Sequence, residues 1–181
     1  RDEKVYSGID YIKKAIIKEN MPMAACLYVY RREYLIENSL QFKKGILHED
    51  EQFTPRAILK AQTVINSGIA YYHYVIREGS ITTQPDKRRN ARDLYSTCLE
   101  LEKIYDKLED ETLKLYLKDL LVQKYLSKFQ DGKLYQYGKE YIKKDFVREN
   151  AFLLKTKLKA RLFCFSPKLY WYINYLSKKI H

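Results

Sequence analysis

Three consecutive carboxylates, Glu49, Asp50 and Glu51, form the stretch of this chain that is best suited to acid–base chemistry. They follow His48 directly and lie between apolar residues, so that one of them can be held beside a pocket. An ionised carboxylate in such a place can take a proton from a hydroxyl group and so act as a general base. The structural alternative is an acidic turn that only stabilises the helix after it.

The segment after the carboxylates predicts the helix that would position them. Thr54 suits a helix cap, Pro55 suits a first turn, and Arg56–Ile65 is amphipathic. The three carboxylates would then lie just before the helix, at the positive end of its dipole. We expect this position to keep them ionised.

Composition and charge narrow the class of protein. The chain has 181 residues, 46% hydrophobic and 31% charged, which is enough for one ordinary domain with a core. A net charge of +11 favours an anionic partner: nucleotide phosphates, nucleic acid or an anionic membrane surface. Cys26, Cys98 and Cys164 are far apart, so neither a zinc site nor a disulfide framework is indicated, and a reducing, cytoplasmic setting is expected.

Hydrophobic periodicity predicts a mainly α chain with a few β-strands. Strands are predicted at Met23–Tyr30 and Ile69–Ile76, which are rich in apolar and aromatic residues. The predicted helices are Ser7–Glu19, a short turn at 31–38, Arg56–Ile65, a long helix from Pro85 onward, a helix capped by Asp110 and ended by Asp131-Gly132, and a third stretch, Leu134–Arg148, bent near Gly138. The chain is accordingly divided into residues 1–84 and a helical region, residues 85–181.

A loop suited to binding an anion follows the second predicted strand. Its sequence is Arg77-Glu78-Gly79-Ser80. An arginine can fork onto a phosphate, and glycine lets the backbone come close to it. The alternative is a simple turn with a surface arginine.

The last stretch, Ala151–His181, is basic and aromatic. It contains seven Lys or Arg residues and no Asp or Glu, interleaved with Phe, Tyr and Trp. This composition suits a membrane interface, where ammonium groups meet anionic lipid and aromatic rings lie among the headgroups. A basic helix packed on its own domain, or a nucleic-acid surface with stacking aromatics, remains an alternative.

Three segments, taken in order, resemble the C-terminal half of a bacterial family 2 glycosyltransferase, of the inverting GT-A kind that builds capsular and other surface polysaccharides. Ala25–Leu35 (ACLYVYRREYL) looks like the strand-plus-"YRREFL" segment of that family. Phe42–Phe53 (FKKGILHEDEQF) is similar to its "F..G..HED..F" motif, and Tyr71–Ile81 (YYHYVIREGSI) to its "YY.Y..R..S" motif. The resemblance covers roughly residues 7–83.

The resemblance implies roles for individual residues. Asp50 would be the catalytic base that deprotonates the acceptor sugar hydroxyl, and Glu49 would help to place the acceptor. Arg77, with Ser80, would lie over the diphosphate of the donor. His48 and His73 are further candidates, although lone histidines are more often structural.

The resemblance also implies partners and cofactors. The full-length parent would use a nucleotide-sugar, a lipid-linked saccharide acceptor and a divalent metal, Mn or Mg. The donor half of the family, with its βαβ units and its Asp-x-Asp metal motif, is not visible in this sequence. The chain, which starts at Arg1, is therefore interpreted as a fragment that holds no metal and is inactive alone, peripheral to the inner face of the cell membrane through residues 151–181.

Two other classes of function stay open from the residues. The first is a non-enzymatic, mostly helical interaction module or membrane-surface domain, in which the acidic turn is only a cap. The second is a basic nucleic-acid binder, ranked last because no nucleic-acid motif supports it; no nucleic acid is expected as a partner. Self-association into a homo-oligomer through exposed apolar surface also stays open.

Overall fold

The computed structural model describes residues 4–17, 21–73, 75 and 86–180, and these are mainly helical. Within them the sheet structure is one pair of two-residue strands, so the predicted class, mainly α with a few strands, is confirmed. The chain divides into two compact units, Arg1–Thr83 and Gln84–His181. None of the helices in this described part combines the length and the hydropathy needed to cross a bilayer.

The first unit is built from three helices and one short antiparallel strand pair. In the pair, Val5 lies opposite Ile65 and Tyr6 opposite Val64. The elements are β1 (Val5–Tyr6), α1 (Gly8–Ile17), α2 (Arg32–Glu37), α3 (Glu49–Lys60) and β2 (Val64–Ile65).

Helix α1 packs closely against the end of α3. The Ser7 hydroxyl accepts a hydrogen bond from the Asp10 N–H at 3.1 Å and so caps the helix. The Gly8 N–H donates to the Ala61 carbonyl at 2.9 Å. A Cβ on Gly8 would lie 1.8 Å from the Ile58 carbonyl oxygen, so this approach requires glycine.

Helix α3 begins at Glu49, seven residues before the predicted start, and the prediction of a helix over Arg56–Ile65 was wrong in its bounds. Thr54 is not a cap: it is buried inside the helix, and its hydroxyl donates to the Met23 carbonyl at 2.7 Å. Pro55 lies in the second turn rather than the first. The reason is tertiary, because the earlier start places Phe53 and Ala57, four residues apart, on one buried face.

Both predicted strands are absent where the structure describes them. Residues 23–30 form a short 3-10 turn, Ala25–Leu27, followed by extended backbone at Tyr28. Residues 69–73 and 75 have no regular structure, and the remainder of Ile69–Ile76 lies outside the described residues. A strand needs a neighbour to complete its hydrogen-bond ladder, and here local turn bonds such as Leu27 N–H to Ala24 carbonyl satisfy the backbone instead.

The second unit is a packed group of helices. Asp110 accepts a hydrogen bond from the Leu113 N–H at 2.9 Å, as its predicted role as a cap requires. The predicted stretch Leu134–Arg148 is broken into 3-10 turns at Leu134–Gln136 and Lys139–Tyr141, with Gly138 at a φ of 134° between them. The helices are α4 (Arg88–Tyr105), α5 (Glu111–Asp131), α6 (Lys144–Asn150), α7 (Leu154–Phe165) and α8 (Pro167–Ile180).

Aromatic rings from four helices form the core of this unit. Tyr125 on α5 contacts Phe146 and Phe163 edge-on, with ring centroids 5.8 and 6.0 Å apart. Phe163 meets Phe129 at 4.8 Å and Tyr170 at 5.6 Å in the same manner. Edge-to-face pairs of this kind add to the free energy of burial, so α5, α6, α7 and α8 are joined through one aromatic cluster.

Candidate functional site

The three carboxylates occupy the first turn of α3, one on each of its first three residues. Glu49 is exposed, whereas Asp50 and Glu51 are half-buried. The Glu51 N–H donates to Asp50 Oδ1 at 2.9 Å and also to the His48 carbonyl at 3.0 Å. The carboxylates therefore lie at the positive end of the helix, as expected, but inside it rather than before it.

The helix terminus favours the ionised form of Asp50, but it does not by itself set the pKa of this carboxyl. Burial raises the pKa of the Asp50 carboxyl, and the neighbouring charge of Glu51 raises it further, while the hydrogen bond from the Glu51 N–H lowers it. Loss of hydration thus outweighs the helix terminus here. Asp50 is an acid whose pKa lies closer to neutrality than that of an ordinary aspartate, which is favourable for a general base.

His48 turns the chain into the helix. Its backbone is left-handed, with φ 59° and ψ 48°, a conformation that few residues other than glycine adopt. Its side chain makes no capping bond to the helix. What the structure shows for His48 is therefore its left-handed backbone, which turns the chain into α3.

An aromatic cluster beneath α3 brings two of the resembling segments together. Phe53 stacks on Phe42 with ring centroids 4.1 Å apart and meets the edge of Tyr30 at 5.5 Å. The Tyr34 hydroxyl donates to the Ala57 carbonyl. Because Tyr30 and Tyr34 belong to Ala25–Leu35, that segment packs on the helix that carries the carboxylates.

A groove of about 750 Å³ runs along the C-terminal half of α3 in the first unit. Its walls include Ile58, Lys60 and five tyrosines: Tyr11, Tyr28, Tyr30, Tyr34 and Tyr71. Asp50 is not part of its lining. Because Ala57, which does line it, lies seven residues from Asp50, the groove begins about 10 Å along the helix axis from the carboxylate.

Burial raises the pKa of three of the groove tyrosines, Tyr28, Tyr30 and Tyr34, so these three hydroxyls stay protonated at neutral pH. Burial raises the pKa of Tyr28, whose hydroxyl donates to the Pro22 carbonyl at 2.7 Å, and the neighbouring Tyr11 adds to the shift. Burial likewise raises the pKa of Tyr30 to about 12. The Thr54 hydroxyl next to Tyr30 lowers that pKa, but the Tyr30 hydroxyl has no hydrogen-bond partner in good geometry among the described residues. The groove could not be foreseen from the sequence, because residues 23–30 have the composition of a strand; the only hint was the 18 tyrosines of the chain.

The remaining candidate residues, His73, Arg77 and Ser80, come later in the chain of the first unit. His73 is exposed in a segment without regular structure. Arg77 and Ser80, with the rest of their loop, lie outside the described residues. Their roles stay predictions.

The described residues contain no set of ligands for a metal ion. Within 4–17, 21–73, 75 and 86–180, no three His, Cys, Asp or Glu side chains come together as a metal site. The three carboxylates of α3 are consecutive, and successive side chains of a helix point in directions about 100° apart, so they do not converge on one point. The residues present thus do not fit the divalent metal that the resemblance implies.

A smaller cavity of about 250 Å³ lies at the start of α4 and is lined by arginines. Arg88 pairs with Asp86 at 2.7 Å, while Arg89 and Arg92 approach Asp93 at 3.5 and 3.7 Å. These carboxylates balance the cationic groups, and the pairs are mostly exposed. We assign no ligand to this cavity.

Comparisons of the chain with protein-family models, with curated proteins and with solved structures gave no match. The likeness to family 2 glycosyltransferases therefore depends only on the sequence motifs quoted above.

Proposed function

We propose that this chain is the acceptor-side part of an inverting glycosyltransferase that builds surface polysaccharide, with Asp50 as its general base. The observation that supports this is the placement of Asp50: a half-buried carboxylate of raised pKa, in the first turn of a helix to which a second resembling segment is packed. A carboxylate that only stabilised a helix terminus would be expected to be exposed and to have a lowered pKa.

The proposed chemistry is a single displacement. Asp50 takes the proton of an acceptor hydroxyl as that oxygen attacks the anomeric carbon of a nucleotide-sugar, and the nucleoside diphosphate leaves from the opposite face. The configuration at the anomeric carbon is therefore inverted. Proton transfer to a positioned carboxylate contributes about 10²- to 10⁴-fold to such a step. Glu49, exposed beside Asp50, would help to orient the acceptor.

The donor side of the site is assigned to other residues. Arg77 and Ser80 would contact the diphosphate, and the Arg77 guanidinium would neutralise part of its developing charge. We place the rest of the nucleotide site on a donor-binding half elsewhere in the parent enzyme. The isolated 181 residues are then inactive towards nucleotide-sugars.

We assign the saccharide acceptor to the groove of five tyrosines that runs along α3. Flat aromatic rings pack against the C–H faces of sugars, while Lys60 and Asn66 in its walls offer donors to hydroxyl groups. A saccharide of several units in this groove would extend along α3 toward Asp50.

The test compares two substitutions in the same turn of α3, made in the native polypeptide that carries this chain. Asp50→Asn is expected to lower the rate of sugar transfer by about 10²- to 10⁴-fold, because the proton acceptor is lost. The matched control, Glu51→Gln, removes one charge from the same turn and is expected to leave the rate within about tenfold. It should also move the acidic limb of the pH–rate profile to lower pH, because Glu51 raises the pKa of Asp50.

A second candidate, a non-enzymatic helical interaction module, is favoured by one observation: the lining of the groove along α3 does not include Asp50. If this candidate is right, Asp50→Asn and Glu51→Gln will both leave the rate of sugar transfer unchanged. The intact mass of the native polypeptide separates the two candidates early. A mass well above that of 181 residues supports the enzyme part, and a mass equal to it supports the module.

A further inference from the structure

Helix α8 presents an apolar stripe to solvent. Leu169, Tyr172, Ile173 and Leu176 are all exposed. Their spacing of three, four and seven residues from Leu169 places them on one side of the helix. The opposite side is held by its own unit, since Trp171 Nε1 donates to the Gln130 carbonyl at 3.0 Å.

Helix α7 is divided in the same way. Thr156, Ala160 and Phe163 are buried against the unit. On the outer side Leu154 and Leu158 are exposed, and Phe165, the last residue of the helix, is 81% exposed. Large side chains left in water at this density mark an interaction surface rather than scattered surface residues.

The charged side chains that α7 and α8 themselves carry are of one sign. The segment Ala151–His181 contains no Asp or Glu. Lys155, Arg161 and Lys168 are exposed on the same two helices as the apolar side chains. The outer face of α7 and α8 therefore combines exposed apolar groups with cations and carries no carboxylate of its own.

We propose that the outer face of α7 and α8 docks on an anionic membrane surface. An anionic membrane surface can bind both kinds of side chain on this face. Acyl chains would contact the leucines, Ile173 and Phe165, and lipid phosphate groups would pair with the lysines and Arg161. A second copy of the chain would bring like charges together. Nucleic acid would pair with the cations but leave the aliphatic side chains in water. The proposal depends only on the surface of the second unit, so it stands or falls separately from the proposed function.

The experiment is sedimentation of the full chain with vesicles of phosphatidylcholine alone or mixed with phosphatidylglycerol. We expect binding to the anionic vesicles, weaker binding as salt is raised, and little binding to the neutral ones. The triple variant Phe165→Ser, Leu169→Ser, Ile173→Ser should lower binding to anionic vesicles by roughly tenfold or more. The charge variant Lys155→Gln, Arg161→Gln, Lys168→Gln should lose most of the preference for anionic lipid.

Two controls separate loss of the surface from loss of folding. Leu99 on α4 is an exposed leucine outside this face, and Leu99→Ser should bind as the unaltered chain does. Trp171 is the single tryptophan, so its fluorescence reports whether α8 stays packed on its unit in each variant. With that fluorescence unchanged, equal binding by the serine variant and the unaltered chain overturns the proposal. So does the absence of binding to either vesicle, or a stable dimer that the serine substitutions convert to monomer.

Discussion

At the scale of single residues, Asp50 is subject to two opposed effects. Its place in the first turn of α3 favours a negative charge, because the helix terminus is positive there. Its partial burial and the adjacent Glu51 disfavour that charge, and their combined effect raises its pKa. The ionised carboxylate is thus held at a cost in stability, as is common for groups that carry out acid–base chemistry.

This cost gives a prediction for Asp50→Asn in the isolated chain. A carboxyl whose pKa is raised by folding stabilises the fold only below its unfolded pKa of about 3.9, and that contribution is lost as the pH rises through the folded pKa. We therefore expect the asparagine variant to melt at a higher temperature than the unaltered chain at pH 7. The difference should shrink as the pH falls toward 4. Calorimetry across this range checks it, and a lower melting temperature for Asp50→Asn at pH 7 would contradict the assigned burial.

At the scale of elements, α7 depends on another helix for its cap. Leu153, which precedes it, makes no side-chain cap bond. Instead the buried Asp119 of α5 accepts hydrogen bonds from the Phe152 and Leu153 N–H groups at 2.7 and 2.9 Å and from the Thr156 hydroxyl at 2.8 Å. A fourth donor, Gln123 Nε2, lies at 2.8 Å. The Asp119 carboxylate thus joins α5 to the N-terminal end of α7 by hydrogen bonds.

Asp119→Ala should therefore destabilise the chain far more than an ordinary cap mutation. It leaves the buried Thr156 hydroxyl and two half-buried N–H groups without an acceptor, and we expect a loss of about 3 kcal/mol in the free energy of unfolding. Asp110→Ala, which removes the half-buried cap of α5, should cost about 1 kcal/mol because water can reach the freed N–H group. Urea unfolding of the two variants makes the comparison. Equal losses would show that Asp119 acts as a simple cap.

At the scale of the whole molecule, the buried hydrophobic residues are distributed between two units. The second unit holds the larger share, including the Tyr125, Phe129 and Phe163 cluster and the leucines of α4 and α5. The first unit buries a smaller set around Ile12, Phe53 and Ile58. Apolar burial is the main source of stability, so the second unit contains what it needs to fold by itself.

We predict that residues 84–181, expressed alone, form a helical domain that unfolds cooperatively. Circular dichroism during thermal unfolding is the measurement, and near-ultraviolet signals from Trp171 and the tyrosines should disappear in the same transition. The serine variant of Phe165, Leu169 and Ile173, made in this fragment, is the matched comparison, because exposed positions should change the transition little. A fragment with helical content but no cooperative transition would show that its core needs the first unit.

Much of the second unit was predictable from local features of the sequence. Helix caps, helix-ending glycines and apolar residues at helical spacing act over a few residues, so Asp110 and Asp131-Gly132 could be assigned without knowledge of the fold. For the same reason the sequence predicted that Glu49, Asp50 and Glu51 lie at the N-terminal end of a helix. The strand predictions at 23–30 and over the described part of 69–76 were wrong because a strand exists only with a partner, which propensity does not reveal.

What the sequence by itself determined is therefore the helical character of the chain, its basic aromatic tail and the carboxylates as a candidate site. Only the tertiary structure decided where α3 begins, because burial of Phe53 with Ala57 extends the helix through Thr54-Pro55. Only the tertiary structure decided the partial burial of Asp50, which is the largest cause of its raised pKa, since desolvation depends on neighbours distant in sequence. It also separated the tail into a packed and an exposed side, because the rings of Phe163 and Tyr170 meet across two helices while Phe165 is left in solvent.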